Sequence, residues 1–198
     1  MGELRMTKTQ RKPPPMDIAD FIAWPGDGAG TRYELIDGVP RAMAPGSDVH
    51  NTIVSRLAYH LTRHLDANRP GCRVVIAPGV QPRVRASWNF RVPDLGVTCA
   101  PARAGDVMTP DPILLVEVLS PGNASETWEN VMAYTTLPSV QEILVVHSTR
   151  VKAELLRRDG SGAWPADPEP VEAGGAIGLA SIGLEFPLAQ AYAGTHLG

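Results

Sequence analysis

A chain of 198 residues, 43% hydrophobic and 20% charged, can bury one substantial core but not two domains of ordinary size. That balance excludes both global disorder and a fibrous repeat. The formal net charge of −3 is not that of a protein coated in positive potential, although it is compatible with a local basic groove.

Residues 1–30 read as an N-terminal arm with a short helix. Met1 to Pro15 carries Arg5, Lys8, Arg11 and Lys12 but lacks the apolar stretch and cleavage site of a secretory signal, so the expected location is cytoplasmic and the expected arm frayed. Met16 to Trp24 predicts the helix and Pro25 to Gly30 a turn. The domain proper is expected over residues 31–190, followed by a weakly ordered tail at 191–198.

Within that domain, Tyr33 to Ile36 and Val39 to Ala44 flank Asp37-Gly38, a pair suited to positive φ, and predict a β-hairpin. From Ser47 to about Asn68, Ile53, Val54, Leu57, Leu61 and Leu65 recur at helical spacing behind a capping serine, and Pro70-Gly71 ends the helix. Val74 to Ala77, Val80 to Val84 and Leu95 to Thr98 read as strands. Ile113 to Leu119, rich in branched aliphatics, predicts a central strand buried on both faces. It is interrupted by Glu117 and too short to cross a bilayer, so no membrane span is expected. Asn123 with Glu126 resembles a capping box for a helix whose inward stripe would be Trp128, Val131, Met132 and Thr135. Glu142 to His147 and Val151 to Arg157 predict two more strands, and Ile182 to Phe186 a last short one. The fold class implied is α/β, a mixed β-sheet flanked by helices with an N-terminal hairpin.

Cys72 and Cys99 stand alone among strand-like residues, in no spacing that holds zinc or forms a redox dithiol, and are expected to be buried thiols. His60 and His64 are one turn apart, but Leu61 stands where a metalloprotease helix would place glutamate, so two partly buried histidines are expected. His50 is either a border of the site or a helix-start residue without a role.

The sharpest signal is an acid inside each of two apolar runs, Asp94 in Val92-Pro93-Asp94-Leu95 and Glu117 in Leu115 to Leu119. A carboxylate there must be paired, protonated or bound to a cation, so Glu117 calls for a partner, either a buried arginine or a metal ion. Asp94 alone could be a turn former, and Glu34 could simply face solvent by strand alternation. Together the three acids suit Mg²⁺ or Mn²⁺, hard cations that take oxygen ligands.

Four motifs now fall in order: Tyr33-Glu34-Leu35-Ile36-Asp37-Gly38, Val49-His50, Arg91-Val92-Pro93-Asp94, and Val116-Glu117-Val118-Leu119-Ser120-Pro121. In this order the chain resembles the Uma two family of restriction-endonuclease-like proteins, within the PD-(D/E)xK nuclease superfamily, across roughly Arg32 to Arg158. The resemblance implies a restriction-endonuclease-like core, metal ligation by Glu34, Asp94 and Glu117, and Mg²⁺- or Mn²⁺-dependent cleavage of DNA. One departure stands out. The superfamily's lysine two residues after the second acid is Leu119 here, and the alternative lysine of this family, four residues before a tyrosine on the next helix, is Asn130 before Tyr134. Asn130 offers hydrogen bonds but no charge, which weakens transition-state stabilisation unless an arginine or a second metal substitutes. The alternative function is therefore a catalytically weak or inactive nuclease-derived module that binds nucleic acid or regulates.

Arg83, Arg85 and Arg91 form a run of positive charge just ahead of Asp94 and with Gln81, which would share a strand face with Arg83 and Arg85, could line a phosphate-binding groove, or could be a solvated face. Trp88 and Phe90 could stack on bases, anchor a loop or form a dimer contact. A third reading pairs the acids with buried arginines and assigns the chain an interaction surface such as a homodimer face.

Overall fold

The computed structural model describes residues 15–198, so the basic arm, apart from Pro15, lies outside the described residues. Asp17 opens α1 (Ile18–Ala23) by accepting a hydrogen bond from the Asp20 N–H at 2.8 Å. Strands β1 (Tyr33–Ile36) and β2 (Val39–Ala42) form the expected antiparallel hairpin. Its turn residues Asp37 and Gly38 have φ of 50° and 80°, as a tight primed turn requires. A Cβ at Gly38 would also lie 2.4 Å from that of Pro15, so the position admits nothing larger.

Ser47 Oγ accepts from the His50 N–H at 3.2 Å and starts α2 (Asp48–Asn68). Ile53, Leu57, Leu61 and Leu65 are its buried residues, one per turn, each contributing about 1.5–3 kcal/mol by leaving water. There follow β3 (Arg73–Ile76), β4 (Leu95–Thr98), β5 (Pro112–Leu119), α3 (Ala124–Tyr134), β6 (Glu142–His147), β7 (Lys152–Arg157) and β8 (Glu169–Glu172). These six strands form one sheet in the order β3-β4-β5-β6-β7-β8. Only β5 and β6 run parallel, and α3 is the crossover that a parallel pair needs. A second hairpin, β9 (Ala176–Leu179) and β10 (Leu184–Pro187), completes the strands.

The sheet is covered on both faces, which is why β4, β5 and β6 read as continuous apolar runs. On one face, Leu57 and Leu61 of α2 pack with Leu95, Val116, Leu144 and Leu155 and with the C-terminal Phe186 and Tyr192. On the other, Val131 and Tyr134 of α3 pack with Leu115, Ile143, Val145 and Leu156. A small cluster of Leu35, Phe90 and Val92 seats the β1–β2 hairpin. Among the described residues no helix is long and apolar enough to cross a membrane.

Several expectations are corrected. Val80 to Val84 is not a strand: only Val80 bridges, to Arg91, because Pro82 has no N–H to continue a ladder and the Arg83 N–H turns to Thr136 Oγ1 at 2.9 Å. The buried residues of α3 are Thr127, Val131, Ala133 and Tyr134, while Met132 is 61% exposed. The capping box does not form, since Asn123 Oδ1 accepts from the Ser120 N–H and Glu126 pairs with Arg41 at 3.8 Å. Cys72 and Cys99 are joined in a disulfide rather than being free thiols. They are 27 residues apart, and the Arg73–Thr98 register sets them opposite one another. The segment after residue 190 is anchored: Tyr192 is fully buried, and its one hydroxyl proton faces the His147, Arg150 and Lys152 carbonyls, the first at 2.7 Å.

Candidate active site

Register brings the first two acids together. Leu95 of β4 faces Val116 of β5 in an antiparallel ladder, so Asp94, one residue earlier, falls opposite Glu117, one residue later. Glu117 shares the α3 side of the sheet with Leu115, and there Tyr134 Oη donates to Glu117 Oε1 at 2.7 Å. Asp94 Oδ2 accepts from the Val118 N–H at 2.7 Å and lies 3.2 Å from His50 Nε2, at the start of α2. Glu34 arrives on β1, which is fixed by reciprocal backbone hydrogen bonds between Leu35 and Phe90 at 2.8 and 2.9 Å. Its Oε1 accepts from the Val92 N–H at 2.6 Å and its Oε2 from Asn130 Nδ2 at 3.4 Å. Asn130 and Tyr134, one turn apart on α3, thus reach two different acids.

Glu34 and Glu117 are each only 8% exposed. Burial pushes the Glu117 carboxyl well above the usual range, the neighbouring Asp94 and Glu34 push the same way, and the Tyr134 hydroxyl opposes them. Burial also raises Glu34, against the Val92 N–H and the charge of Arg91. Burial would lower His50, but its hydrogen bond and attraction to Asp94, with Asn51, outweigh that and raise it. Among the described residues, no arginine or lysine pairs with Glu34, Asp94 or Glu117, in contrast to Glu142, which Arg157 holds at 2.6 Å. The buried ion pair considered for Glu117 is therefore not its partner.

The donor chemistry fits a hard divalent cation: two carboxyls, one deeply buried, face each other with His50 beside Asp94 and no arginine or lysine within ion-pair distance among the described residues. Among the described residues, no group of three or more His, Cys, Asp or Glu side chains is arranged to hold a metal ion. Asp94 and Glu117 form the close pair, and Glu34 stands within electrostatic reach with one oxygen bound to the Val92 N–H.

Comparison with known proteins settles the lineage. The Uma two (Uma2) family model, described as "Putative restriction endonuclease", matches residues 18–187. The chain belongs to the Uma2 family. An uncharacterized protein of Synechocystis sp. is 30% identical over 183 residues, covering 91% of this chain and 93% of that protein. The crystal structure of a "putative nuclease belonging to DUF820" from Anabaena variabilis shares the fold, with a TM-score of 0.73 over 90% of this chain and 98% of that one at 15% identity.

Not every residue singled out in the Uma2 sequence joins this site. Gln81, Arg83 and Arg85 do not share a strand face. Gln81 Nε2 donates to the Ala86 carbonyl at 2.9 Å, and Arg85, at φ 45°, pairs with Asp37 at 3.0 Å. Gln81 and Arg83 both line a cavity of about 780 Å³ with Arg103, Val107 and Pro138, which contains none of the three acids. Phe90 is a core residue, whereas Trp88 is 43% exposed. His60 stacks on Phe186 at 4.8 Å, and His64 bonds the Ile182 carbonyl at 3.0 Å, so both serve packing. Arg91, expected with Arg83 and Arg85 in a phosphate-binding run, is instead 6% exposed and bonded to Asn130. Its contact with Asn130, a pairing that nothing in the sequence signals, is what the structure adds.

Proposed function

We propose that this Uma2 chain is a Mg²⁺- or Mn²⁺-dependent endonuclease that hydrolyses phosphodiester bonds of DNA. The observation that carries the reading is the buried Glu117 carboxyl facing Asp94, a pair with His50 beside it but no arginine or lysine against it among the described residues. Asp94 and Glu117 would hold the ion, and Glu34 would complete its oxygen set. A bound divalent ion supplies Lewis-acid activation of a phosphodiester and of water.

The chain's own residues orient the site. Tyr134 fixes one oxygen of Glu117, the Val118 N–H and His50 fix one oxygen of Asp94, and the Val92 N–H fixes Glu34. These donors leave Asp94 Oδ1 and Glu117 Oε2 for a ligand. Asn130 presents its amide beside Glu34 at the place where a lysine would stand.

Nicking of supercoiled DNA with Mn²⁺, Mg²⁺ or EDTA tests the proposal. Cleavage by the parent should require metal, and Asp94→Asn or Glu117→Gln should abolish it while the circular dichroism spectrum is retained. Metal-dependent cleavage that survives both changes overturns the site assignment. The second reading, a module that binds without turnover, is favoured by Leu119 and Asn130 at the two lysine positions. It predicts DNA binding with no cleavage under any of these conditions.

A further inference from the structure

The site contains one buried cation whose charge is not spent on an ion pair. The Arg91 backbone is pinned by reciprocal hydrogen bonds to Val80 at 2.9 Å, and its side chain is 6% exposed. Nη1 donates to Asn130 Oδ1 at 2.7 Å and Nη2 to Asn89 Oδ1 at 3.0 Å, while Nε has no partner. Both bonded acceptors are neutral amides, and no carboxylate lies within ion-pair distance of Arg91 among the described residues. Elsewhere in the molecule Arg157 takes a carboxylate, Glu142 at 2.6 Å, and Arg158 takes backbone carbonyls, whereas Arg91 is held by two side-chain amides, one of which also reaches Glu34.

Asn130 links this cation to the acids. Its Oδ1 accepts from Arg91 while its Nδ2 donates to Glu34 Oε2, so one amide is read from both ends. A lysine at position 130 could not make this relay, because it has no acceptor for Arg91 and would bring a like charge against it. We propose that Arg91, acting through Asn130, is the positioning residue that replaces the missing lysine of this site, setting the second oxygen of Glu34 and supplying the positive charge. A chain that carries Arg91 with an amide at 130, and a chain that carries lysine at 130 with a neutral residue at 91, are then two solutions to one requirement.

The inference rests on the metal-dependent reading, and its test separates the two. Arg91→Gln, Asn130→Lys and the double variant are compared with the parent by thermal melting with and without Mn²⁺, and by cleavage kinetics. Arg91→Gln should remain folded, should shrink the Mn²⁺-dependent rise in Tm, and should lower kcat about tenfold or more with little change in KM. Asn130→Lys alone should melt lower and cleave no faster. The double variant should recover both the Mn²⁺ response and the rate. An Mn²⁺ response and kcat unaltered by Arg91→Gln, or a double variant no better than the sum of its parts, overturns the role of Arg91 while leaving the metal site standing. A parent with no Mn²⁺ response overturns the metal reading and this inference with it.

Discussion

The Tyr134 hydroxyl lies 2.7 Å from Glu117 Oε1, joining the last residue of α3 to the buried acid of the central strand β5. Both residues are buried, so neither has water as a ready substitute partner.

Tyr134→Phe keeps the ring in its cluster with Leu115 and Val145 but leaves Glu117 Oε1 without its donor. The expected cost is about 1–3 kcal/mol, the range for stranding a buried acceptor. Urea denaturation in EDTA measures it, and stability equal to the parent would show that the hydroxyl contributes nothing to holding Glu117.

A second polar cluster governs stability in acid. Burial acts to raise Glu154, but the hydrogen bonds from His147 at 2.9 Å and Lys152 at 3.0 Å outweigh it and leave the carboxyl below its usual range. A carboxyl lowered by folding stabilises above its unfolded pKa, and that contribution fades as pH falls through the folded value. The melting temperatures of parent and Glu154→Gln should therefore differ at neutral pH and converge below the ordinary glutamate range. A gap independent of pH would mean that packing, not ionisation, sets the effect.

The bridge between Cys72 and Cys99 closes a loop across the β3–β4 edge, with a sequence separation of 27. Chain-entropy arguments assign such a loop about 3–4 kcal/mol. Denatured, unreduced protein should show no titratable thiol, and reduction should lower the melting temperature. Two thiols titrating without reductant would contradict the pairing.

The parts of the fold that were legible in the sequence are those where local chemistry and burial agree. Asp37-Gly38 forced the hairpin, the four-residue recurrence from Ile53 to Leu65 set α2, and the unbroken aliphatics around Glu117 marked an interior strand. The acids were legible because a carboxylate in such a run demands an explanation. What stayed hidden depends on tertiary direction. Met132 looks inward by composition, yet α3 meets the sheet through Val131 and Tyr134. Arg83 and Arg85 alternate in sequence, yet Pro82 removes the strand that alternation presumes. The cysteines meet only through strand register, and Arg91 acquires meaning only when Asn130 is seen against it.

Asp94 and Glu117 belong to adjoining strands of one sheet, but Glu34 rides on a separate two-stranded ribbon. That ribbon is latched to the body by the Leu35–Phe90 backbone pair and the apolar contacts of Leu35, Phe90 and Val92. Sheet formation alone therefore delivers two acids, and the third is added by docking. Weakening the latch, for instance by trimming Leu35, would displace Glu34 from the Asp94–Glu117 pair while the bulk of the molecule stayed folded.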